Sequence, residues 1–327
     1  MKNRILTRRG SCLRPLKALA LLLLSACATP PRVASTITPQ SGLSQPTTAH
    51  RVTTIDGLKI FYREAGDPAK PTILLLHGYP SSSHMFRELI PKLSTSFHLL
   101  APDYPGFGYS DAPAPEWGPI TFESITNVVE HFALAQGLSH FSLYMQDFGG
   151  PVGMRLATRH PTWIDGLVIQ NANAYEEGLA QVVREGNSRR SIQPDSEADM
   201  KFELGPGLAA LLYKTGARSP DTMNPDGWSF DMWALEQAGH RRVAAALLND
   251  YFHNIEQYPR WHSYLQSHKP PVLVVWGKGD PIFLVPGAEA YRRDLPDVRI
   301  RYFDTSHFAL EEDSEGIAAE IQRFFGR

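Results

Sequence analysis

Five short apolar runs decide which fold this chain can adopt. They lie at 72–76, 98–101, 141–146, 166–170 and 271–276, and polar residues do not regularly interrupt them. Strands that are apolar on both faces are typical of parallel sheets covered by helices. Amphipathic stretches at 84–93, 150–159 and 316–325 can supply such helices, and a further strand-like run lies at 299–303. The order predicts an α/β fold with a mostly parallel sheet flanked by helices.

A hairpin precedes this pattern and one long segment interrupts it. Strand-like runs on either side of Asp56-Gly57 predict the hairpin. Between the runs at 166–170 and 271–276 the residues show helical periodicity and no clear buried strand. Because a structureless connection of about a hundred residues is uncommon, residues 174–263 are predicted to form an inserted helical cap. The core then comprises 51–173 and 264–327.

The composition excludes several classes of protein. The chain has 327 residues, of which 43% are hydrophobic, and a formal net charge of −2. This is enough for a large buried core, and no basic excess indicates a nucleic-acid partner. The only cysteines are Cys12 and Cys27, both near the N-terminus, so the folded domain is expected to have no disulfide. The histidine and cysteine spacings match no metal-site signature, so no metal is expected.

The first residues are predicted to be a targeting segment. Basic residues precede the apolar stretch ALALLLLSA, which is too short to span a bilayer. It ends in Leu24-Ser25-Ala26-Cys27, which resembles the lipobox of bacterial lipoproteins and implies a signal peptide at 1–27 with acylation of Cys27. An ordinary secretory peptide with an accidental cysteine is the alternative. Residues 28–49, rich in Pro, Ser and Thr, are expected to be a flexible tether. The protein is therefore expected on the periplasmic side of the bacterial cell envelope, attached only by its lipid anchor.

Three polar residues come directly after strand-like runs. Asp147 lies between the run at 141–146 and Gly149-Gly150, where a sharp strand-to-helix turn would hold its side chain out. Asp280 and His307 follow two later strands. An isolated aspartate in such a place is usually a helix cap. The carboxyl ends of parallel strands meet at one edge of a sheet, however, which favours a common site for all three.

Five motifs carry a resemblance to a known family. They are HGYP at 77–80, PDYPGFGYSD at 102–111, QDFGG at 146–150, WGKGDP at 276–281 and DTSHFALEE at 304–312. Over residues 51–327 the chain resembles the haloalkane dehalogenase and epoxide hydrolase branch of the α/β-hydrolase fold. The resemblance implies a catalytic triad of Asp147, Asp280 and His307, with the backbone N–H groups of Tyr79 and Phe148 as oxyanion donors. It implies a small-molecule substrate and water as partners, and no cofactor.

The chemistry that these residue types allow has two steps. The Asp147 carboxylate can attack a saturated carbon and form an ester with it. His307, oriented by Asp280, can then activate the water that hydrolyses this ester. A serine in place of Asp147 would instead indicate an ordinary esterase.

The leaving group is the open question. Haloalkane dehalogenases typically hold the halide with a Trp next to the nucleophile and an Asn in the HG loop or a Trp in the cap. This chain has Phe148 and Tyr79 at the first two places, and only Trp228 or Trp233 as cap candidates. The halide interpretation is weakened accordingly.

Epoxide hydrolases instead use cap tyrosines as acids. One of theirs lies in a segment L-N-W-Y-R, which Leu248-Asn249-Asp250-Tyr251-Phe252 resembles in part. Tyr251 is therefore the candidate acid, with Tyr175 or Tyr213 as a second. The sequence favours a hydrolase of small apolar substrates that opens epoxides to diols. A haloalkane dehalogenase is the alternative, followed by a non-catalytic, lipid-anchored binding protein.

Overall fold

The computed structural model describes residues 47–326. The expected signal peptide, Cys27 and residues 28–46 of the expected tether lie outside the described residues. The first strand begins at Ala49, the last residue of that tether range. In the described part of the chain no helix is long and apolar enough to cross a membrane.

The strands form one sheet, which confirms the predicted mostly parallel arrangement. Over residues 47–326 there are eight: β1 (Ala49–Ile55), β2 (Leu58–Ala65), β3 (Thr72–Leu76), β4 (His98–Pro102), β5 (Phe141–Gln146), β6 (Ile164–Gln170), β7 (Val272–Gly277) and β8 (Arg299–Phe303). Their order in the sheet is β1-β2-β4-β3-β5-β6-β7-β8. β2 pairs antiparallel with β1 and β4, and all other pairs are parallel.

Helices cover both faces of this sheet. The described residues form ten α-helices: α1 (Leu89–Leu93), α2 (Phe122–Ala135), α3 (Gly149–Arg159), α4 (Gln181–Arg190), α5 (Pro206–Lys214), α6 (Asp226–Leu235), α7 (His240–Asp250), α8 (Phe252–His268), α9 (Val285–Ala290) and α10 (Leu310–Phe325). In β3, Leu74 and Leu76 pack in the cluster that includes α2 and α3, whereas Ile73 and Leu75 pack in the cluster that includes α1 and α10. Successive side chains of a strand point to opposite faces, so the continuous apolar run reflects burial on both.

The segment between β6 and β7 is helical, as the periodicity predicts. It contains α4 to α8, and α8 continues to His268, past the expected boundary at 263. A buried arginine ties this cap to the core, because Arg155 of α3 donates a hydrogen bond from Nη1 to Asn254 Oδ1 at 2.6 Å. Its guanidinium carbon also lies 5.7 Å from the centroid of the Trp261 ring. The cap helix α8 is therefore held directly against α3.

Candidate active site

Asp147 occupies the turn between β5 and α3. Its φ is 49°, a left-handed conformation that Asp and Asn tolerate better than most other residues with a side chain. A Cβ on the following Gly149 would lie 2.2 Å from the backbone oxygen of Leu76, so only glycine lets α3 start this close to β3. The turn places the Asp147 side chain at the carboxyl edge of the sheet.

His307 and Asp280 form a buried pair beside this turn. The Nδ1 atom of His307 lies 2.7 Å from Asp280 Oδ2 and donates to it. The other oxygen of Asp280, Oδ1, accepts the backbone N–H groups of Ile282 at 2.8 Å and Phe283 at 3.0 Å. Because Asp280 is fixed in this way, it orients the imidazole with Nε2 toward the nucleophile.

Asn171 is a part of this arrangement that the sequence analysis missed. Its Nδ2 donates to Asp280 Oδ2 at 2.8 Å, and its Oδ1 accepts the Gly277 N–H at 2.8 Å. It follows β6 directly, as the triad residues follow their own strands. A polar residue at the end of a buried strand is the signal that could have identified it.

The two oxygens of Asp147 have different surroundings. Oδ1 accepts the backbone N–H of Tyr79 at 2.6 Å, and the Phe148 N–H also bonds to the carboxylate. Oδ2 lies 3.8 Å from His307 Nε2. The Tyr79 N–H, one of the two expected oxyanion donors, therefore already holds Oδ1, while Oδ2 lies on the side of the histidine.

The pKa values of Asp147 and His307, the candidate nucleophile and candidate base, are both raised, but for different reasons. Burial raises the pKa of Asp147 to about 6, although His307 and the hydrogen bonds from Tyr79 and Phe148 lower it. Burial alone would lower the pKa of His307, but the carboxylates of Asp280 and Asp147 outweigh it and raise the pKa above its ordinary value. Asp147 is therefore a carboxylate at neutral pH, as a nucleophile must be.

His77 and Gly78 shape the loop that carries the Tyr79 donor. His77 Nε2 accepts the Tyr104 N–H at 3.0 Å, and burial lowers the pKa of His77 to about 3, so its ring stays neutral. A Cβ on Gly78 would lie 2.3 Å from Asp147 Cβ. Only glycine lets the loop approach the nucleophile this closely.

Gln146 also belongs to the site, and the sequence analysis gave it no role. Its side chain is fully buried, and its Nε2 lies 2.9 Å from His307 Nε2. Among the described residues its Oε1 has no hydrogen-bond partner. Gln146 is the last residue of β5, directly before Asp147, and its amide lies beside the ring nitrogen of His307 that faces Asp147.

A cavity of about 190 Å³ opens onto Asp147. Its walls are mostly apolar side chains of the cap and core, among them Phe148, Leu208, Leu212, Leu248 and Phe283. Val182 and Phe202 also line it and are more than half exposed, so the cavity reaches solvent on their side. The shape and lining suit a small, largely apolar ligand.

Tyr251 lines the cavity, at the junction of α7 and α8. Its ring lies 6.0 Å from that of Phe148 and 6.5 Å from that of Phe283. Burial raises the pKa of Tyr251 well above its ordinary value, so the hydroxyl keeps its proton. It is within hydrogen-bonding reach of the Tyr258 hydroxyl. Tyr258 lies seven positions further along the chain, a helical spacing that could have pointed to it.

The other cap aromatics expected from the sequence lie elsewhere. Tyr175 donates its hydroxyl proton to Asp294 Oδ2 at 2.6 Å, and Tyr213 donates to Asp231 Oδ2 at 2.6 Å. Neither tyrosine lines the cavity. Trp228 packs against Tyr213, and Trp233 is 46% exposed and packs against Tyr109. The structure thus brings Tyr251, but none of these four, to the nucleophile.

Comparisons with known proteins agree on the fold. The sequence profile of the alpha/beta hydrolase fold matches residues 71–314. An uncharacterized hydrolase of Saccharomyces cerevisiae is 39% identical over 281 residues, which are 84% of this chain and 96% of that protein. A haloalkane dehalogenase of Psychrobacter cryohalolentis is 36% identical over 105 residues, or 32% of this chain and 34% of that protein. The solved structure of an epoxide hydrolase superposes with a TM-score of 0.71 at 19% identity, covering 86% of this chain and 99% of that one.

Proposed function

The chain belongs to the α/β-hydrolase fold family, in the branch of the haloalkane dehalogenases and epoxide hydrolases, and we propose that this hydrolase opens epoxides to diols. The observation that carries the proposal is the position of Tyr251. Tyr251 lines the same cavity as Asp147, and its raised pKa keeps its hydroxyl protonated. An epoxide oxygen needs a proton as the ring opens, and a positioned phenol can donate it.

The first step forms an ester on Asp147. Because the Tyr79 N–H holds Oδ1, Oδ2 is the oxygen that attacks an epoxide carbon. The bond from this carbon to the ring oxygen breaks, and the ring oxygen takes the proton of Tyr251. The product is a hydroxyalkyl ester of Asp147 and a Tyr251 phenolate, which accepts a hydrogen bond from Tyr258.

The second step returns the enzyme to its starting state. His307 Nε2 takes a proton from water, and the resulting hydroxide adds to the ester carbonyl carbon. The oxyanion forms on Oδ1, where the Tyr79 and Phe148 N–H groups stabilise it. The tetrahedral species expels the diol oxygen, which takes the proton back from His307. The proton left on the new Asp147 carboxyl group restores the Tyr251 hydroxyl.

The cavity provides few hydrogen-bond donors for a departing halide. A halide needs N–H donors beside the reacting carbon, and no indole lines the cavity in the part of the chain that the structure describes. Phe148 contributes no side-chain donor. The Tyr79 hydroxyl is engaged with the backbone oxygen of Glu203 at 2.6 Å. These points favour the epoxide over the haloalkane.

The experiment that tests the proposal uses the variant His307→Gln. It should form the ester but not hydrolyse it, because no base activates water. After incubation with a small terminal epoxide, mass spectrometry should show the intact protein heavier by one epoxide, with the adduct on the peptide that contains Asp147. The matched variant Asp147→Asn should remain unmodified.

The wild-type enzyme provides the second half of the test. It is given paired epoxides and haloalkanes of equal chain length, and diol, alcohol and free halide are measured separately. We expect diol from the epoxides. Halide release without diol would mean that the substrate is a haloalkane and not an epoxide. If His307→Gln consumed epoxide without forming an adduct, the proposed ester intermediate would be wrong.

We propose further that the protein is exported and anchored through an acylated Cys27. The support is the sequence LSAC at 24–27 behind an apolar stretch. Produced in a bacterium, the full chain should sediment with membranes, whereas Cys27→Ser should appear in the soluble fraction. Equal distribution of both proteins would exclude the anchor.

A further inference from the structure

The apolar cavity contains a polar group of side chains formed by Asn187, Arg190 and Glu203. Asn187 and Arg190 are three residues apart on α4, a spacing that places them on the same face of the helix. Their exposed fractions are only 4% and 9%. We refer to these three residues as the distal polar group.

Asn187 has hydrogen-bonding capacity that the protein does not use. Its Nδ2 is buried and has no hydrogen-bond partner among the described residues. An unpaired buried donor costs on the order of 1–3 kcal/mol. A donor of this kind on the wall of a substrate cavity indicates that a ligand atom completes its hydrogen bonding.

The charges around Asn187 restrict the identity of this ligand atom. Arg190 is already paired, with Nε at 2.9 Å from Asp195 Oδ2 and Nη2 at 2.6 Å from Glu203 Oε1. Asp195 is also paired with Arg189, so two guanidinium groups balance the two carboxylates and no unpaired cation of this cluster remains to bind an anionic ligand group. A protonated amine has no lone pair to accept from Asn187. A neutral oxygen is left, and a hydroxyl group can both accept from Asn187 and donate to Glu203.

Tyr79 defines how far the distal polar group lies from the nucleophile. Its backbone N–H bonds to Asp147 Oδ1 at 2.6 Å, and its hydroxyl donates to the backbone oxygen of Glu203 at 2.6 Å. Glu203 therefore lies about the length of one tyrosine away from the reacting carboxylate. Apolar side chains, Leu208, Leu212 and Leu248 among them, line the cavity as well.

We propose that the substrate is an epoxide on an apolar chain that ends in a neutral hydroxyl, and that the distal polar group binds this hydroxyl. The inference rests on the proposed epoxide opening and adds the chemistry of the far end of the substrate. The hydroxyl completes the hydrogen bonding of the Asn187 amide, and the apolar chain fills the space between the two ends.

The test is a series of straight-chain terminal epoxides of increasing length, each made with a terminal hydroxyl and with a methyl group in its place. At one chain length kcat/KM should favour the hydroxyl over the methyl compound about tenfold, the size expected of one hydrogen bond. The preference should fall for shorter and longer chains. The corresponding carboxylates should be poorer substrates than the alcohols.

The variant Asn187→Leu keeps the side-chain size and removes the polar atoms. It should abolish the hydroxyl preference, because the hydroxyl and methyl compounds then meet the same apolar side chain, and the kcat/KM values of the two compounds should agree within about twofold. The matched control is Gln181→Leu, an exposed residue of the same helix, which should keep the preference. A preference that survives in Asn187→Leu would overturn the assignment.

Calorimetric binding of the diol products separates this inference from the proposed reaction. The diol with the additional terminal hydroxyl should bind the wild-type protein about tenfold more tightly than its methyl counterpart, and Asn187→Leu should bind both equally. If no epoxide is opened but this difference in binding appears, the proposed reaction is wrong, whereas hydroxyl binding by the distal polar group is supported. Equal binding to the wild-type protein would overturn the distal polar group whether or not epoxides are opened.

Discussion

At the scale of single residues, the environment of Asp147 suits the proposed chemistry and lowers the stability of the fold. A carboxylate buried in an apolar cavity is disfavoured, and its raised pKa expresses that cost. The left-handed turn adds strain that few side chains tolerate. Asparagine tolerates the same turn and carries no charge, which makes Asp147→Asn a direct probe of this cost.

Asp147→Asn should be inactive and, above pH 6, more stable than the wild type. Because the folded-state pKa of Asp147 is raised from 3.8 to about 6, its protonated form stabilises the fold, and this contribution is lost as the pH rises through 6. At about 1.4 kcal/mol per pH unit, the variant should gain about 3 kcal/mol in unfolding free energy by pH 8. Urea titration at several pH values measures this difference.

The low-pH measurement is the control. Near pH 4 both proteins carry a neutral side chain at position 147, so their unfolding free energies should converge. A stability difference that is the same at pH 4 and pH 8 would show that the carboxylate charge does not cause it.

Tyr251→Phe should slow ester formation and leave ester hydrolysis unchanged. The variant keeps the aromatic packing against Phe148 and Phe283 and loses only the proton that the epoxide oxygen needs. Loss of a general acid typically costs on the order of 10² to 10⁴ in rate. Single-turnover kinetics that follow the adduct on Asp147 separate the two steps.

Tyr258→Phe is the matched control for this acid. It lies behind Tyr251 and does not line the cavity, so it should reduce the rate less than Tyr251→Phe does. If Tyr258→Phe slowed ester formation as much and Tyr251→Phe had little effect, the acid would be assigned to Tyr258 instead.

At the scale of helices and strands, the contact between α3 and β3 connects packing with catalysis. Leu76 ends β3, and the loop that carries Tyr79 starts immediately after it. The backbone oxygen of Leu76 is also the atom that a Cβ on Gly149 would meet. A change at the start of α3 is therefore transmitted to the oxyanion donor within three residues.

Gly149→Ala should lower both stability and activity. Its Cβ would stand 2.2 Å from the Leu76 oxygen, so β3 or α3 must move. Overpacking of this kind costs about 1–3 kcal/mol or more, and the displaced Tyr79 N–H should lower kcat. Thermal unfolding and steady-state kinetics of the same preparation measure the two effects.

Gly186→Ala in α4 is the control for the loss of a glycine. The new Cβ would lie 3.3 Å from the end of the Arg190 side chain, and alanine favours a helix over glycine by up to about 1 kcal/mol. This variant should be as stable as the wild type or more so. Equal destabilisation by both substitutions would show that the α3–β3 contact does not cause the loss of stability in Gly149→Ala.

The same elements show what the sequence could and could not predict. β3 and β5 match their predicted ranges because burial on both faces leaves a continuous apolar run. The edge strand β8 also matches its predicted range, although it is only partly buried. The turn residues Asp147, Asp280 and His307 could be proposed because strand ends share one edge of the sheet. Gln146 could not, since its role depends on its contact with His307, which lies on a distant segment of the chain. For the same reason, the sequence alone could not separate Tyr175 and Tyr213 from Tyr251 by their contacts.

At the scale of the whole described domain, stability comes from non-covalent contacts. Two buried apolar clusters lie on the two faces of the sheet, and both continue into the cap. Arg87 and Glu311 form a bidentate pair, with nitrogen–oxygen distances of 2.8 and 2.6 Å, between the segment before α1 and α10. Residues 47–326 contain no cysteine, so no covalent cross-link supports them.

Reducing agent should therefore leave the melting temperature unchanged. With no disulfide to break inside the domain, dithiothreitol has no structural target there. Scanning calorimetry of the full chain with and without dithiothreitol provides the measurement. A lower melting temperature in the reduced sample would mean that Cys12 and Cys27 take part in holding the domain together.

Tyr79 joins the nucleophile to the cap, and this has a consequence for the timing of turnover. Movement of the Glu203 segment away from the core breaks the hydroxyl bond of Tyr79 and releases the residue whose amide positions Asp147. If the product leaves when the cap moves, the Tyr79 N–H would be displaced from Asp147, and it would return when the cap closes again. The enzyme would then be ready to react only while it is closed.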